Sequence, residues 1–185
     1  METHPIRLAV TDDLERSRLT VLVRLLLAIP HFVLLYLWTI AAELASIVAW
    51  VAALVTGRVP EGLHAFLAAY LRYLTHVTAY LTLLADPYPG FTGAPGYPVD
   101  AEIAPPEPQN RLVTLFRWLL AIPAWIVASV LGAVLRVVAV LGWFVCLALG
   151  RMPEGMRNLG NYCLRYETQT YGYTFLLSDR YPSFS

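Results

Sequence analysis

From Leu25 to Thr56 the only side chains that carry charge near neutral pH are His31 and Glu43, and from Trp118 to Leu149 the only one is Arg136. Each run exceeds the ~20 apolar residues that carry a helix across a bilayer core. The rest of the chain is poorly equipped to hide them. Hydrophobic residues make up 58% and charged residues 14%, against about 45–50% and about 25% in soluble domains. Lipid is the expected solvent. The first run is not a removable targeting segment, because it is too long, comes after a charged leader of 24 residues and shows no small-residue cleavage site. An integral membrane protein that keeps its N-terminus is expected.

The two runs are copies. Sliding the chain against itself by 93 positions lays RLTVLVRLLLAIP (18–30) over RLVTLFRWLLAIP (111–123), GRVPEG (57–62) over GRMPEG (150–155), Trp50 over Trp143, Arg72-Tyr73 over Arg165-Tyr166, and LLADPYPGF (83–91) over LLSDRYPSF (176–184). Over residues 4–91 against 97–184, 28 of 88 pairs are identical without a gap. The chain reads as unit one (1–91), a linker TGAPG (92–96) and unit two (97–185).

Each unit opens with a short alternating segment, residues 6–10 and 99–103, able to form a small two-stranded β patch. A long helix comes next, which Pro30 or Pro123 should kink. The GRxPEG phrase is a turn between helices: Gly57 or Gly150 takes the left-handed position past the helix end, the proline enters the next first turn, and Glu61 or Glu154 meets its positive dipole end. A second helix, roughly 60–85 or 156–177, completes a hairpin and either crosses the bilayer or lies along its surface. The predicted fold is all-α integral membrane, four helices in two tandem hairpins related by a pseudo-two-fold axis. Arg18 and Arg24 precede the first run as Arg111 and Arg117 precede the second, and such clusters stay cytoplasmic. Two like-oriented hairpins with both termini inside are therefore expected.

All thirteen cationic residues are arginines. Arg18, Arg24, Arg58, Arg111, Arg117 and Arg151 fall at headgroup level and are candidate lipid contacts, since a guanidinium grips phosphate with a planar fork. Ionisable residues at membrane depth are functional candidates by default. Glu43 and Arg72 should meet near the middle of hairpin one; the matching positions in unit two are Arg136 and Arg165, with Glu167 beside them. This cluster is expected either to hold the bundle together or to receive an anion.

Other chemistry is weakly signalled. The four histidines, His4, His31, His64 and His76, all lie in unit one and match no metal spacing, Cys146 and Cys163 form no redox pair, and no nucleophile elbow, phosphate loop or dinucleotide fingerprint is present. Zero net charge gives no field for nucleic acid. No cofactor or metal is expected. The closing phrases DPYPGF and DRYPSF place Asp86 and Asp179 just past a helix end, with aromatic anchors behind them.

Taken together, R-x5-R-x4-IP, GRxPEG, the downstream RY and D-x-YP-x-F resemble the bacterial membrane family catalogued as domain of unknown function 4389, in two tandem copies. The resemblance implies a multi-pass protein of the bacterial cytoplasmic membrane and supplies no activity. Unit one keeps IPH, whereas unit two has Ile122-Pro123-Ala124. The expected role is a non-enzymatic accessory or scaffold subunit that contacts lipids and a membrane protein partner or a second copy. The alternative is a small transporter or lipid- or anion-binding protein using the Arg/Glu cluster.

Overall fold

A computed structural model describes residues 4–184. In chain order it contains β1 (Ile6–Val10), α1 (Arg18–Leu27), α2 (Ile29–Thr56), α3 (Glu61–Leu81), β2 (Val99–Ile103), α4 (Arg111–Leu149) and α5 (Glu154–Thr174). Five helices replace the four expected because the two prolines act differently. In unit one the helix is interrupted at Ala28, and Pro30 stands at the start of α2, where its missing N–H costs nothing. In unit two α4 runs on through Pro123. The neighbour on the C-terminal side of each proline differs as well. His31 is fully buried among Tyr73, Tyr88 and Phe91, whereas its counterpart is Ala124.

The hairpin turns form as their residues dictate. Gly57 and Gly150 take φ of 76° and 73°, a left-handed conformation that glycine adopts without a side-chain clash. Glu61 and Glu154 sit in the first turns of α3 and α5, while Pro60 and Pro153 stand at the N-cap, one position before the first turn expected for them. The second helices end just before leucines in the same left-handed region, Leu83 (φ 63°) and Leu176 (φ 58°). Beyond each leucine the chain bonds back onto the helix, Leu84 N to Ala79 O and Leu177 N to Gly172 O, both at 2.9 Å. A left-handed leucine costs about 1–2 kcal/mol. Both leucines are 1% exposed or less, and burial of such a side chain is worth about 2 kcal/mol, enough to hold the bend.

The two units pack by exchanging equivalent contacts. Gln109 N donates to Gly57 O at 2.8 Å and Arg16 N to Gly150 O at 2.9 Å; Trp50 Nε1 reaches Thr114 O at 2.7 Å and Trp143 Nε1 reaches Val21 O at 3.0 Å. Residues that are equivalent in the repeat touch one another where the symmetry axis passes. Thr75 Oγ1 lies 3.3 Å from Thr168 Oγ1, and in the antiparallel β1–β2 ribbon Leu8 pairs with Ala101. Such reciprocity defines a two-fold axis perpendicular to the helices. The end of each long helix meets the beginning of the other, so the halves point in opposite directions. This overturns the like-oriented arrangement expected from the arginine clusters, because two of those arginines turn into the protein instead of marking a membrane face.

Three layers result. The ribbon rests on α3 and α5, which run antiparallel through the middle and carry most of the large buried side chains, among them Leu67, Leu71, Tyr73, Tyr80, Leu164 and Tyr173. The α1–α2 pair and α4 form the third layer. Their inner faces are lined with small residues, Ala42, Ala49 and Ala53 on one and Ala121, Ala124, Ala128 and Gly132 on the other, which lets the helices close in. Their outer faces are uncovered and, apart from Glu43 and Arg136, largely apolar. The linker is folded against α3: Gly93, at φ 62°, has no room for a Cβ beside the Ala69 carbonyl.

Candidate functional site

The arginines ahead of each long helix are anchors inside the protein. Arg24 and Arg117 are 2% and 1% exposed, and each spans the end of its unit's second helix. Arg24 Nη1 donates to Tyr80 O at 2.5 Å and Ala85 O at 2.9 Å, and Nη2 to Asp86 Oδ1 at 2.6 Å. Arg117 repeats the pattern with Tyr173 O and Ser178 O, both at 2.8 Å, and with Asp179. Each guanidinium also covers a tyrosine ring, Tyr80 at 4.3 Å and Tyr173 at 4.6 Å. A cation set at a helix C-terminus answers both the dipole and the unpaired carbonyls. A further donor completes each clamp: Arg16 Nε bonds Leu83 O at 2.9 Å, and its counterpart Gln109 bonds Leu176 O at the same distance. Two of the six arginines assigned to headgroups, Arg24 and Arg117, are thus withdrawn from lipid, and their presence before both runs reports a packing device. They carry no information about sidedness.

The other four stay outside. Arg18, Arg58, Arg111 and Arg151 are all exposed. Arg18 lies beside Gly150 and donates to Ala148 O at 2.9 Å, while Arg111 lies beside Gly57. Two arginines therefore mark each end of the long-helix layer.

The proposed intramembrane cluster does not assemble. Arg72 turns toward the ribbon, where it bonds Ala101 O and Gly93 O at 3.2 and 3.4 Å and lies 3.9 Å from Asp100. Asp100 also meets His76 at 2.8 Å. Arg165 turns the same way, bonding Phe184 O at 3.1 Å over the Tyr162 ring. Glu43 is exposed on α2 and makes no ion pair among the described residues. Glu43 and Arg72 do not meet: Arg72 faces the ribbon, whereas Glu43 faces outward on α2. Only Glu167 and Arg136 remain neighbours. Glu167 leans onto α4 against Gly132, with Arg136 close by, and burial pushes its carboxyl up to about 7 against the pull of Arg136.

Arg136 is the informative member. It is exposed and forms no hydrogen bond or ion pair among the described residues, on a helix long and apolar enough to cross a membrane. It lines a cavity of about 610 Å³ between α1–α2 and α4, with Leu25, Phe32, Val140 and Phe144 as its apolar walls and Thr78 at its floor. At the positions equivalent to Phe32 and Arg136, unit two carries Trp125, bonded to Thr174 at 3.1 Å, and unit one carries Glu43. The groove therefore breaks the symmetry. Its sequence signal was the sign reversal between Glu43 and Arg136. The histidines have structural partners or apolar surroundings, and no group of three metal-ligating side chains occurs among the described residues.

The arrangement defines a class: an inverted helical repeat, clamped by buried arginines, that leaves one broad apolar face and one cationic groove open. Residues 18–92 and 111–185 both match the family described as Domain of unknown function (DUF4389), and the chain belongs to that family as two tandem copies. No curated protein and no solved structure matches it. Each motif of the family resemblance has a place in the fold: the second arginine and the aspartate form the clamp, GRxPEG makes the turn, and the tyrosine of the first RY pairs with His31, Tyr73 Oη lying 2.6 Å from His31 Nδ1.

Proposed function

We propose that this chain is a non-enzymatic membrane protein, an accessory or scaffold element that works through contact with lipid, in the cytoplasmic membrane of a bacterium. The observation that carries the reading is the uncovered face of the long helices. Two helices are long and apolar enough to cross a membrane, and their outer sides expose Leu, Ile, Val and Phe from end to end. Contiguous apolar surface on this scale exceeds what soluble monomers leave open and marks an interaction site. The side chains most capable of chemistry, Arg24, Asp86, Arg117, Asp179, His76 and Asp100, are committed to bonds that hold the fold. Flotation of the purified chain with phospholipid vesicles tests the reading. Recovery with the vesicles after a high-salt wash is expected; recovery in the soluble fraction refutes it.

A second reading is favoured by Arg136. An exposed guanidinium that forms no hydrogen bond or close ion pair among the described residues, at the edge of an apolar groove, is complementary to an anionic headgroup with its acyl chain laid along the groove. Native mass spectrometry of gently extracted protein should then retain one anionic lipid, lost in Arg136→Gln. Equal retention by both forms removes the groove from the account.

A further inference from the structure

We infer that the chain does not cross the bilayer: it lies in a single lipid leaflet, the long helices in the plane of the membrane, the two-fold axis along the membrane normal and the β1–β2 ribbon in water. This rests on the membrane reading proposed for the chain and adds its geometry.

Length argues first. Apolar side chains are open along the whole third layer, from Leu19 (71% exposed) to Val55 (69%) on α1–α2 and from Leu112 (70%) to Leu149 (59%) on α4. At 1.5 Å per residue the α4 stripe measures roughly 55 Å, against a hydrocarbon core of about 30 Å. By tilt alone, crossing helices would have to lean roughly 57° to bury it, and tilts observed in membranes reach about 40°; α4 is continuous through Pro123, with no break to share the mismatch. In the plane of a leaflet no length limit applies.

The ribbon argues independently. Its centre lies on the two-fold axis, and beside that centre Arg7 and Glu102 form an exposed pair at 3.5 Å, with side chains 60% and 56% accessible. Upright helices would carry this pair to mid-bilayer, where a charged residue costs about 3 kcal/mol. With the axis along the normal, the ribbon is the surface farthest from lipid. Arg72 and Arg165, both turned to the ribbon side, go with it.

The polar ends of the apolar layer suit a leaflet boundary as its cover. Arg18 and Arg151 stand at one end of the apolar layer, Arg58 and Arg111 at the other. Carboxylates stand among them, Asp13, Glu15 and Glu154 beside Arg151, so each end offers the mixed polar rim that an interfacial protein presents to headgroups and water. In a leaflet the four exposed guanidiniums lie at headgroup level, where each can meet a phosphate.

The test uses the full chain expressed in a bacterial membrane, with Arg58→Cys, Arg151→Cys and Glu102→Cys introduced one at a time; the native Cys146 and Cys163 are buried. A membrane-impermeant maleimide is applied to spheroplasts and, separately, to inverted vesicles. All three positions should label in one preparation and none in the other. Arg58→Cys and Arg151→Cys labelling in opposite preparations would show crossing helices and overturn the inference while leaving the membrane reading intact, as would protection of Glu102→Cys from both sides. A protein recovered without membranes, as a dimer closed over its apolar face, would sink both.

Discussion

Replacing Arg117 by glutamine removes the centre of the unit-two clamp. The guanidinium is 1% exposed and donates to Tyr173 O, Ser178 O, Gln109 Oε1 and Asp179. Glutamine keeps polarity but cannot reach four acceptors. Truncating one partner of a buried charge pair costs about 3–5 kcal/mol, because the other charge is left without compensation. Asp179 is 27% accessible and recovers part of its hydration, which places the expected loss near the lower bound, about 3 kcal/mol. The two carbonyls at the α5 end have no such relief and keep it from falling much further. For a chain of this size the loss lowers the unfolding midpoint by roughly 6–12 °C. Thermal melts in detergent or nanodiscs, read by tyrosine and tryptophan fluorescence, measure it. Arg58→Gln, on the exposed side of a turn, is the control, with a change within about 0.5 kcal/mol. A variant at position 117 as stable as that control would refute the clamp.

Asp86→Asn and Arg24→Gln, made singly and together, should couple by at least about 0.5 kcal/mol in a double-mutant cycle, whereas Arg24→Gln with Asp179→Asn should be additive. Gly93→Ala forces a Cβ against the Ala69 carbonyl at a left-handed φ and should cost more than about 1 kcal/mol; a neutral result would mean that the linker is not docked. Glu167 favours its protonated form in the fold, so its contribution is full below about pH 4.5 and declines as pH rises to about 7. Glu167→Gln should therefore remove roughly 1 kcal/mol of that decline between pH 5 and pH 8, after allowance for its partial exposure. An unchanged slope of melting temperature against pH would contradict it.

Local structure was legible in the sequence where one residue type has one physical option. Glycine after an apolar run, proline and glutamate next, specified both hairpin turns, and the alternating segments at 6–10 and 99–103 specified the ribbon. Global orientation was not legible, because an arginine before an apolar run has two uses. It can hold a membrane face, or it can turn inward and close the end of a neighbouring helix. A discriminating signal was present: Arg24 and Asp86 stand 62 residues apart, as do Arg117 and Asp179, and the repeat keeps both members in both units. An arginine serving headgroups alone has no need of a fixed aspartate. The intramembrane cluster failed for a different reason. Depth along a hairpin comes from counting residues, but the direction of Arg72 toward the ribbon depends on where a separate strand docks, and helical spacing holds no record of that.

Spin labels at residues 58 and 111, and in a second sample at 58 and 151, give the most direct measurement of the inverted two-fold arrangement on which the whole account stands. The first pair flanks the Gly57–Gln109 contact and should give a short distance by double electron–electron resonance. The second is separated by about the length of α4, roughly 58 Å for its 39 residues. A short distance between 58 and 151, with a long one between 58 and 111, would place the two turns together and contradict it.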